Sequence, residues 1–315
     1  MQHRRAYILL LLTTLFWAGN AIAGKLAPGH VSPMLLTAAR CAIGFAVLAW
    51  LARDRWAADW PAVRAKLPLL ALLGALGFAI FNIALYSALN YTSVINVSIE
   101  QAGIPMLIFI LNYVLFRLHA TMGQIVGFLL SVAGVALTAS HGTPMRLLQL
   151  DVNFGDALML VSAFVYSFYT IALRWKPDVH WQTLMTVFTG SATLASLPFV
   201  AAEFAYGAGV LPDARGWAII AYAAIFPSIL AQIYYIRSVE LIGANRAGLF
   251  INLVPIFGTL LAIVLLGEAF ELYHALAIVL TLGGIWLAEV SGKRASLKEV
   301  AASRAGKTES EMPGR

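Results

Sequence analysis

Polar and aromatic side chains recur at helical spacing inside the most apolar stretches of this 315-residue chain. Thr13, Trp17, Asn20 and Gly24 fall at i, i+4, i+7 and i+11, one face of a helix. The same phase joins Asn82 with Tyr86, Ser98 with Gln101 and Pro105, and Ser162 with Tyr166 and Tyr169. It also joins Ser228 with Gln232 and Tyr235, and Asn245 with Gly248, Asn252 and Pro255. Amides and hydroxyls bond both ends of a zwitterion without fixed charge. Trp and Tyr rings add apolar area for a side chain. The chemistry these residues suit is recognition of a small molecule in a central cavity. The competing reading is packing, because Ser, Asn and small residues tie membrane helices together at about 0.6 kcal/mol per bond. Trp17 stands apart, since the other tryptophans fall at the ends of apolar runs or in loops, where interface anchoring is the default.

Two charges, Arg40 and Glu100, also lie within apolar runs. Both sit about seven residues from the same edge, or roughly 10 Å at the helical rise. Equal depth permits an ion pair, and a buried charge left alone is expensive. A structural Arg40–Glu100 pair is the leading expectation. Proton coupling through Glu100 and carboxylate binding by Arg40 are the alternatives. Pro105 and Pro255 lie mid-run, where proline removes a helix bond and frees a carbonyl. They are expected to be fixed kinks or hinges for rocking.

Catalysis is not expected. It needs convergent acids, histidines, a metal or a nucleophile with its base. His3, His30, His119, His141, His180 and His274 all fall at run ends or in loops, and no HExxH or P-loop occurs. The single cysteine, Cys41, excludes a disulfide framework and a cysteine metal site. No cofactor or metal is expected. A retinal receptor would want a mid-span lysine, and a pore is less suited than a carrier to the duplicated design described below.

The elements that must hold these residues follow from composition. The chain is 61% hydrophobic and 11% charged, whereas a soluble domain carries roughly 25% charged residues. The fold class expected is therefore an all-α integral membrane protein. Runs of about 20 apolar residues cross a bilayer as helices. Ten can be placed, near 6–25, 33–51, 67–87, 93–116, 121–140, 154–174, 181–202, 216–236, 245–266 and 273–291. With the N-terminus inside, only Lys25, Arg146 and Arg215 of the 21 Lys and Arg fall in outer segments. This bias predicts both termini to be cytoplasmic. The net charge of +6 then reflects topology rather than nucleic-acid binding. The first run is basic at its start and carries Ala21-Ile22-Ala23, as a secretory leader would. It is read instead as the first span.

A repeat supports that choice. At a shift of about 150 residues, Pro105 aligns with Pro255, Gly134-Val135 with Gly284-Ile285, and Asn82 with Gln232. At about 149, Trp17 aligns with Tyr166 and Lys25 with Arg174, so "TLFWAGNAIAGKLA" finds its counterpart in "AFVYSFYTIALRW". Five helices per copy is odd, so the second copy must be inverted, an architecture of transporters. The boundaries read are 1–140 for the first five-helix repeat and 141–153 for a periplasmic connector. Residues 154–291 form the second, inverted repeat, and 292–315 a disordered cytoplasmic tail.

The words "FWAGNAIAGKLA", "PMLLTAARCAIG" and "LLGEAF", with the Pro-centred fourth and ninth spans, resemble the drug/metabolite transporter superfamily in its ten-helix EamA-type branch. The resemblance runs from Ala6 to Ser291 and is strongest to exporters of amino acids, aromatic ones included. It implies export across the bacterial inner membrane by alternating access, with uptake or exchange of another small metabolite or drug as the alternative. The partners implied are a small-molecule substrate and the lipid bilayer, with the chain a monomer or homodimer.

Overall fold

The computed structural model describes residues 2–117, 121–139, 142–143, 153–242, 250–288 and 290–291. The tail 292–315, nearly all of the connector 141–153, Asn245 and Gly248, and the side chains of Pro105 and Asn252 lie outside the described residues. Every regular element among the described residues is helical. In lipid each N–H and C=O must be satisfied within its own segment, and a helix does this.

The helices are α1 (Gln2–Leu26), α2 (Pro33–Ala65), α3 (Leu67–Ala88), α4 (Val94–Ala102), α5 (Ile104–Phe116) and α6 (Met122–Ala139). They continue with α7 (Phe154–Ala172) and α8 (Trp181–Ala205). Next, α9 runs through Ala214–Ile225, a π turn at Phe226–Leu230, and Ala231–Ile242. The last are α10 (Val254–Leu261) and α11 (Leu272–Ala288). Six of these stretches are long and apolar enough to cross a membrane, and Met122–Gly134, Val254–Leu266 and Leu272–Ala288 are shorter apolar ones.

Two expectations change. The second run continues as helix past residue 51 to Ala65, where Trp56 stacks on Trp60. The prolines do not kink continuous helices. Pro105 and Pro255 each occupy the first turn of a new helix, α5 after Gly103 and α10 after a 3-10 turn at Phe250–Leu253. A first-turn residue needs no N–H partner, so proline starts a helix there without loss.

Helix starts are closed by acids from other segments of the chain. Glu203 of α8 accepts from Ser32 Oγ at 2.6 Å and from the N–H groups of Met34 and Leu35 at 3.2 and 3.3 Å, at the start of α2. At the opposite end of the same helix pair, Asp59 of α2 accepts from His180 N–H at 3.2 Å and Thr183 Oγ1 at 2.6 Å, at the start of α8. Glu268 caps α4 through Val94 and Ile95 N–H at 2.9 and 3.1 Å. An anion at these positions satisfies orphan donors and meets the positive end of the helix dipole.

Small residues set the close crossings. A Cβ on Gly127 of α6 would come within 2.4 Å of Gly284 O of α11, and one on Gly284 within 2.3 Å of Gly127 O. Between them Ser131 Oγ donates to Thr281 O at 2.9 Å. A Cβ on Gly258 of α10 would lie 2.2 Å from Ser98 Oγ of α4. α1 packs along the second part of α9, α7 along the second part of α3, and α2 along α8.

Candidate functional site

Arg40 projects from α2 into the bundle and is 6% exposed. Its Nη1 donates to Asn82 Oδ1 at 2.7 Å, to Asn20 Oδ1 at 3.1 Å and to the Tyr86 hydroxyl. Nε and Nη2 both donate to Ser228 Oγ, at 3.2 and 2.7 Å. Tyr86 OH in turn donates to Asn20 Oδ1 at 2.7 Å. One guanidinium thus gathers side chains from α1, α3 and α9. All of them are neutral, and no carboxylate pairs with Arg40 among the described residues.

Local sequence explains how two of these partners are held. Pro227 has no N–H for the carbonyl of Ala223 four residues back. The helix widens into the π turn Phe226–Leu230, and Ser228 Oγ donates to Ala223 O at 2.7 Å in place of the missing bond. That donation fixes the hydroxyl so that its lone pairs meet Arg40. α3 holds a π turn at Ala75–Ile80, and Asn82 Nδ2 donates to Phe78 O at 2.9 Å, leaving Oδ1 for Arg40. Single-turn π bulges of this kind concentrate at functional sites.

Aromatic ring contacts form between helices of the same bundle. Trp17 meets Tyr235 at a centroid distance of 5.5 Å, and Tyr166 meets Phe81 at 4.7 Å and Tyr169 at 5.4 Å. Trp17, Tyr166, Tyr235, Gln101 and Gln232 are half-buried. The ring that faces the cation is Tyr86, whose centroid lies 5.8 Å from Arg40 Cζ.

The sequence-derived residues separate as follows. Asn20, Asn82, Tyr86 and Ser228 converge on Arg40, and Trp17, Tyr166, Tyr169 and Tyr235 form ring contacts. Ser98 packs against Gly258, and Ser162 Oγ donates to Phe81 O at 2.9 Å, so both serve helix packing. Pro255 is buried at the start of α10.

The expected Arg40–Glu100 pair is not formed. Glu100, on α4, is 1% exposed, and neither of its oxygens has a hydrogen-bond partner among the described residues. Equal depth is one coordinate, and the two helices face different neighbours. α2 packs on α8, α9 and α3, while α4 packs on α10, α7, α6 and α1.

Other contributors were missed by spacing alone. Phe81 precedes Asn82, and Phe78 lies one turn before it, meeting Tyr169 at 6.0 Å. Tyr222 packs on Gly19, where a Cβ would come 2.0 Å from its hydroxyl. A cavity of about 490 Å³ opens beside it between α1 and α9, lined by Phe16, Ile22, Ile219 and Leu261 with Arg215 at one end. It is apolar and distinct from the Arg40 cluster.

Outside the spans, His30 Nδ1 and Asp213 Oδ2 lie 2.7 Å apart. The Gly216 N–H first, then His30, hold the Asp213 carboxyl below the usual carboxylate range.

Comparison with known proteins adds the remaining evidence. The chain is 24% identical to the uncharacterised transporter YyaM of Bacillus subtilis (strain 168), over 90% of this chain and 93% of that protein. It is 27% identical to an uncharacterised transporter of Archaeoglobus fulgidus, over 91% of this chain and 98% of that one. A solved crystal structure with 21% identity superposes with a TM-score of 0.62, over 92% of this chain and 98% of the other, and so shares the fold. The sequence profile of the EamA-like transporter family matches twice, over residues 4–140 and 153–289. The chain is a multi-pass membrane protein and belongs to the EamA-like transporter family.

Proposed function

We propose that this transporter exports amino acids, aromatic ones included, across the bacterial inner membrane, with Arg40 as the anchor for the cargo carboxylate. The observation that carries this reading is the buried guanidinium held only by neutral amides and hydroxyls. A cation in a bilayer core is costly and is kept where it serves a pathway or a ligand. Arg offers a planar fork suited to a carboxylate, and neutral partners give way to a charged one at modest cost. The rings of Trp17, Tyr235 and Tyr166 suit an aromatic side chain.

The proposed architecture is ten helices in two inverted five-helix repeats, bounded at 1–140 and 154–291, with both termini cytoplasmic. Three observations support it. The family profile matches once per half. α6 and α11 cross at Ser131 and Thr281, which are 150 residues apart. The packing of α1 on α9 has its counterpart in that of α7 on α3. Alternating access follows from exchanging the conformations of the halves.

The test is uptake into liposomes containing the purified protein, with labelled phenylalanine and tyrosine against their decarboxylated amines. Saturable amino-acid flux, absent for the amines and lost in Arg40→Gln and Trp17→Ala, is the expected result. Equal flux of acid and amine would overturn the carboxylate role. Net flux only from outside to inside in oriented vesicles, whatever the gradient, would favour uptake over export.

A further inference from the structure

Glu100 is not used by the cargo site, and it is the least satisfied ionisable side chain described. It lies on α4 with both oxygens buried and unpartnered. Thr92 stands just ahead of this helix, and Asn96 and Glu100 follow at successive turns, so the three share one face. Thr92 and Asn96 carry a hydrogen-bonded track that ends one turn short of Glu100. Thr92 Oγ1 donates to Asp156 Oδ1 and accepts from Asn96 Nδ2 at 3.2 Å. Asn96 Oδ1 accepts from His274 Nε2 at 3.3 Å, and His274 Nδ1 accepts from Glu271 N–H at 3.0 Å. With Nδ1 an acceptor, the ring proton sits on Nε2 and points at Asn96.

We propose that the Glu100 carboxyl is a proton-binding site, filled and emptied from the face that carries Asp156 and His274 along the track of Thr92 and Asn96. An isolated ionised carboxylate in an apolar interior is too costly to persist, so a neutralising partner is required. Among the described residues, the groups on the elements packed against α4 do not supply a cation. α7 presents Asp156, an acid bound by Thr92 Oγ1. α1 presents Lys25, whose ammonium is bound to Leu89 O and Thr92 O at 2.9 and 2.6 Å beside Glu268. α11 presents His274, engaged with Asn96 and Glu271. α6 and α10 carry no charged side chain, and α5 only Tyr113. Among the described residues no three His, Cys, Asp or Glu side chains gather to hold a metal ion. A proton needs no ligand shell. Its binding makes one O–H bond at a Glu100 oxygen, with the proton drawn from water at that face and returned there on release. Coupling of this step to cargo at Arg40 rests on the transport reading above, but the site itself does not.

The experiment reads the proton directly. Full-length protein in liposomes is titrated by infrared spectroscopy in H2O and D2O, following the carbonyl stretch of a protonated carboxyl. The wild type is expected to carry a band at neutral pH that Glu100→Gln lacks. Glu100→Asp, which keeps the carboxyl, shifts the band and serves if the glutamine variant does not fold. Asn96→Leu and Thr92→Val are expected to slow deuteration of the band at least tenfold without removing it. Identical spectra for wild type and Glu100→Gln would overturn the proposal. Deuteration unchanged in both track variants would do the same. Loss of the band on adding sodium chloride at fixed pH would assign a metal cation instead. No cargo is present, so failure of amino-acid transport and failure of this site are read separately.

Discussion

Ser228→Ala tests the local argument at the site most directly. The hydroxyl performs two tasks. It accepts from Arg40 Nε and Nη2 at 3.2 and 2.7 Å, and it donates to the Ala223 carbonyl that Pro227 leaves without a backbone donor. Side-chain hydrogen bonds in membrane bundles average about 0.6 kcal/mol and reach about 1.7 kcal/mol, while bonds to charged groups run about 1.5–3 kcal/mol. Assigning ~1.5 kcal/mol to the Arg40 contact and ~0.6 kcal/mol to the Ala223 bond gives a cost of about 2 kcal/mol. The assay is unfolding in mixed micelles titrated with sodium dodecyl sulfate. Two partner variants divide the sum. In Pro227→Ala/Ser228→Ala the new N–H reaches Ala223 O, and ~0.6 kcal/mol returns. In an Arg40→Met background the serine loss costs only that smaller part, a coupling of ~1.5 kcal/mol in the double-mutant cycle. A coupling near zero would refute the assignment of Ser228 to Arg40. A double variant no more stable than Ser228→Ala would refute the account of the π turn.

Gly284→Ala places a methyl group 2.3 Å from Gly127 O, so α6 and α11 must separate; destabilisation of about 1–3 kcal/mol is expected in the same micelle titration. Gly19→Ala drives its Cβ into the Tyr222 hydroxyl, and tyrosine fluorescence together with stability reports the displaced ring. Asp213 has its carboxyl lowered by Gly216 N–H and His30. Its contribution is therefore present above the unfolded carboxylate range, near 3.9, and is lost as pH falls through the lower folded value. Asp213→Asn is expected to be less stable than wild type at neutral pH and equal to it in strong acid, by thermal melting at several pH values.

What the sequence made legible was depth and phase, which belong to single helices. The runs near 67–87, 154–174 and 181–202 match helices at Leu67–Ala88, Phe154–Trp175 and Trp181–Ala205 within a few residues. Asn20, Asn82, Tyr86 and Ser228 were picked by phase, and they meet at Arg40. Neighbourhood was not legible. Arg40 and Glu100 share the same expected depth, but a linear pattern does not say which helices adjoin. The bilayer selects apolar faces without specifying a partner, and close crossings depend on where small residues such as Gly258 admit a particular neighbour. The prolines were visible, but their helical position was not, because a helix start and a kink leave the same letter. Pro227 was the one written signal for the widened turn beside Ser228.

The reciprocal caps on α2 and α8 carry a mechanical consequence. Glu203 fastens the start of α2 at one face, and Asp59 fastens the start of α8 at the other. Sliding one helix along the other would uncap both ends at once. The pair therefore behaves as a strut rather than a sliding rail. Arg40 rides on that strut, while Asn20, Asn82 and Ser228 belong to helices outside it. In the proposed transport cycle, motion of those helices would change which neutral groups hold the guanidinium and leave its own mounting unmoved. In that cycle the cation would be the fixed tooth, and its neighbours the parts that engage and release.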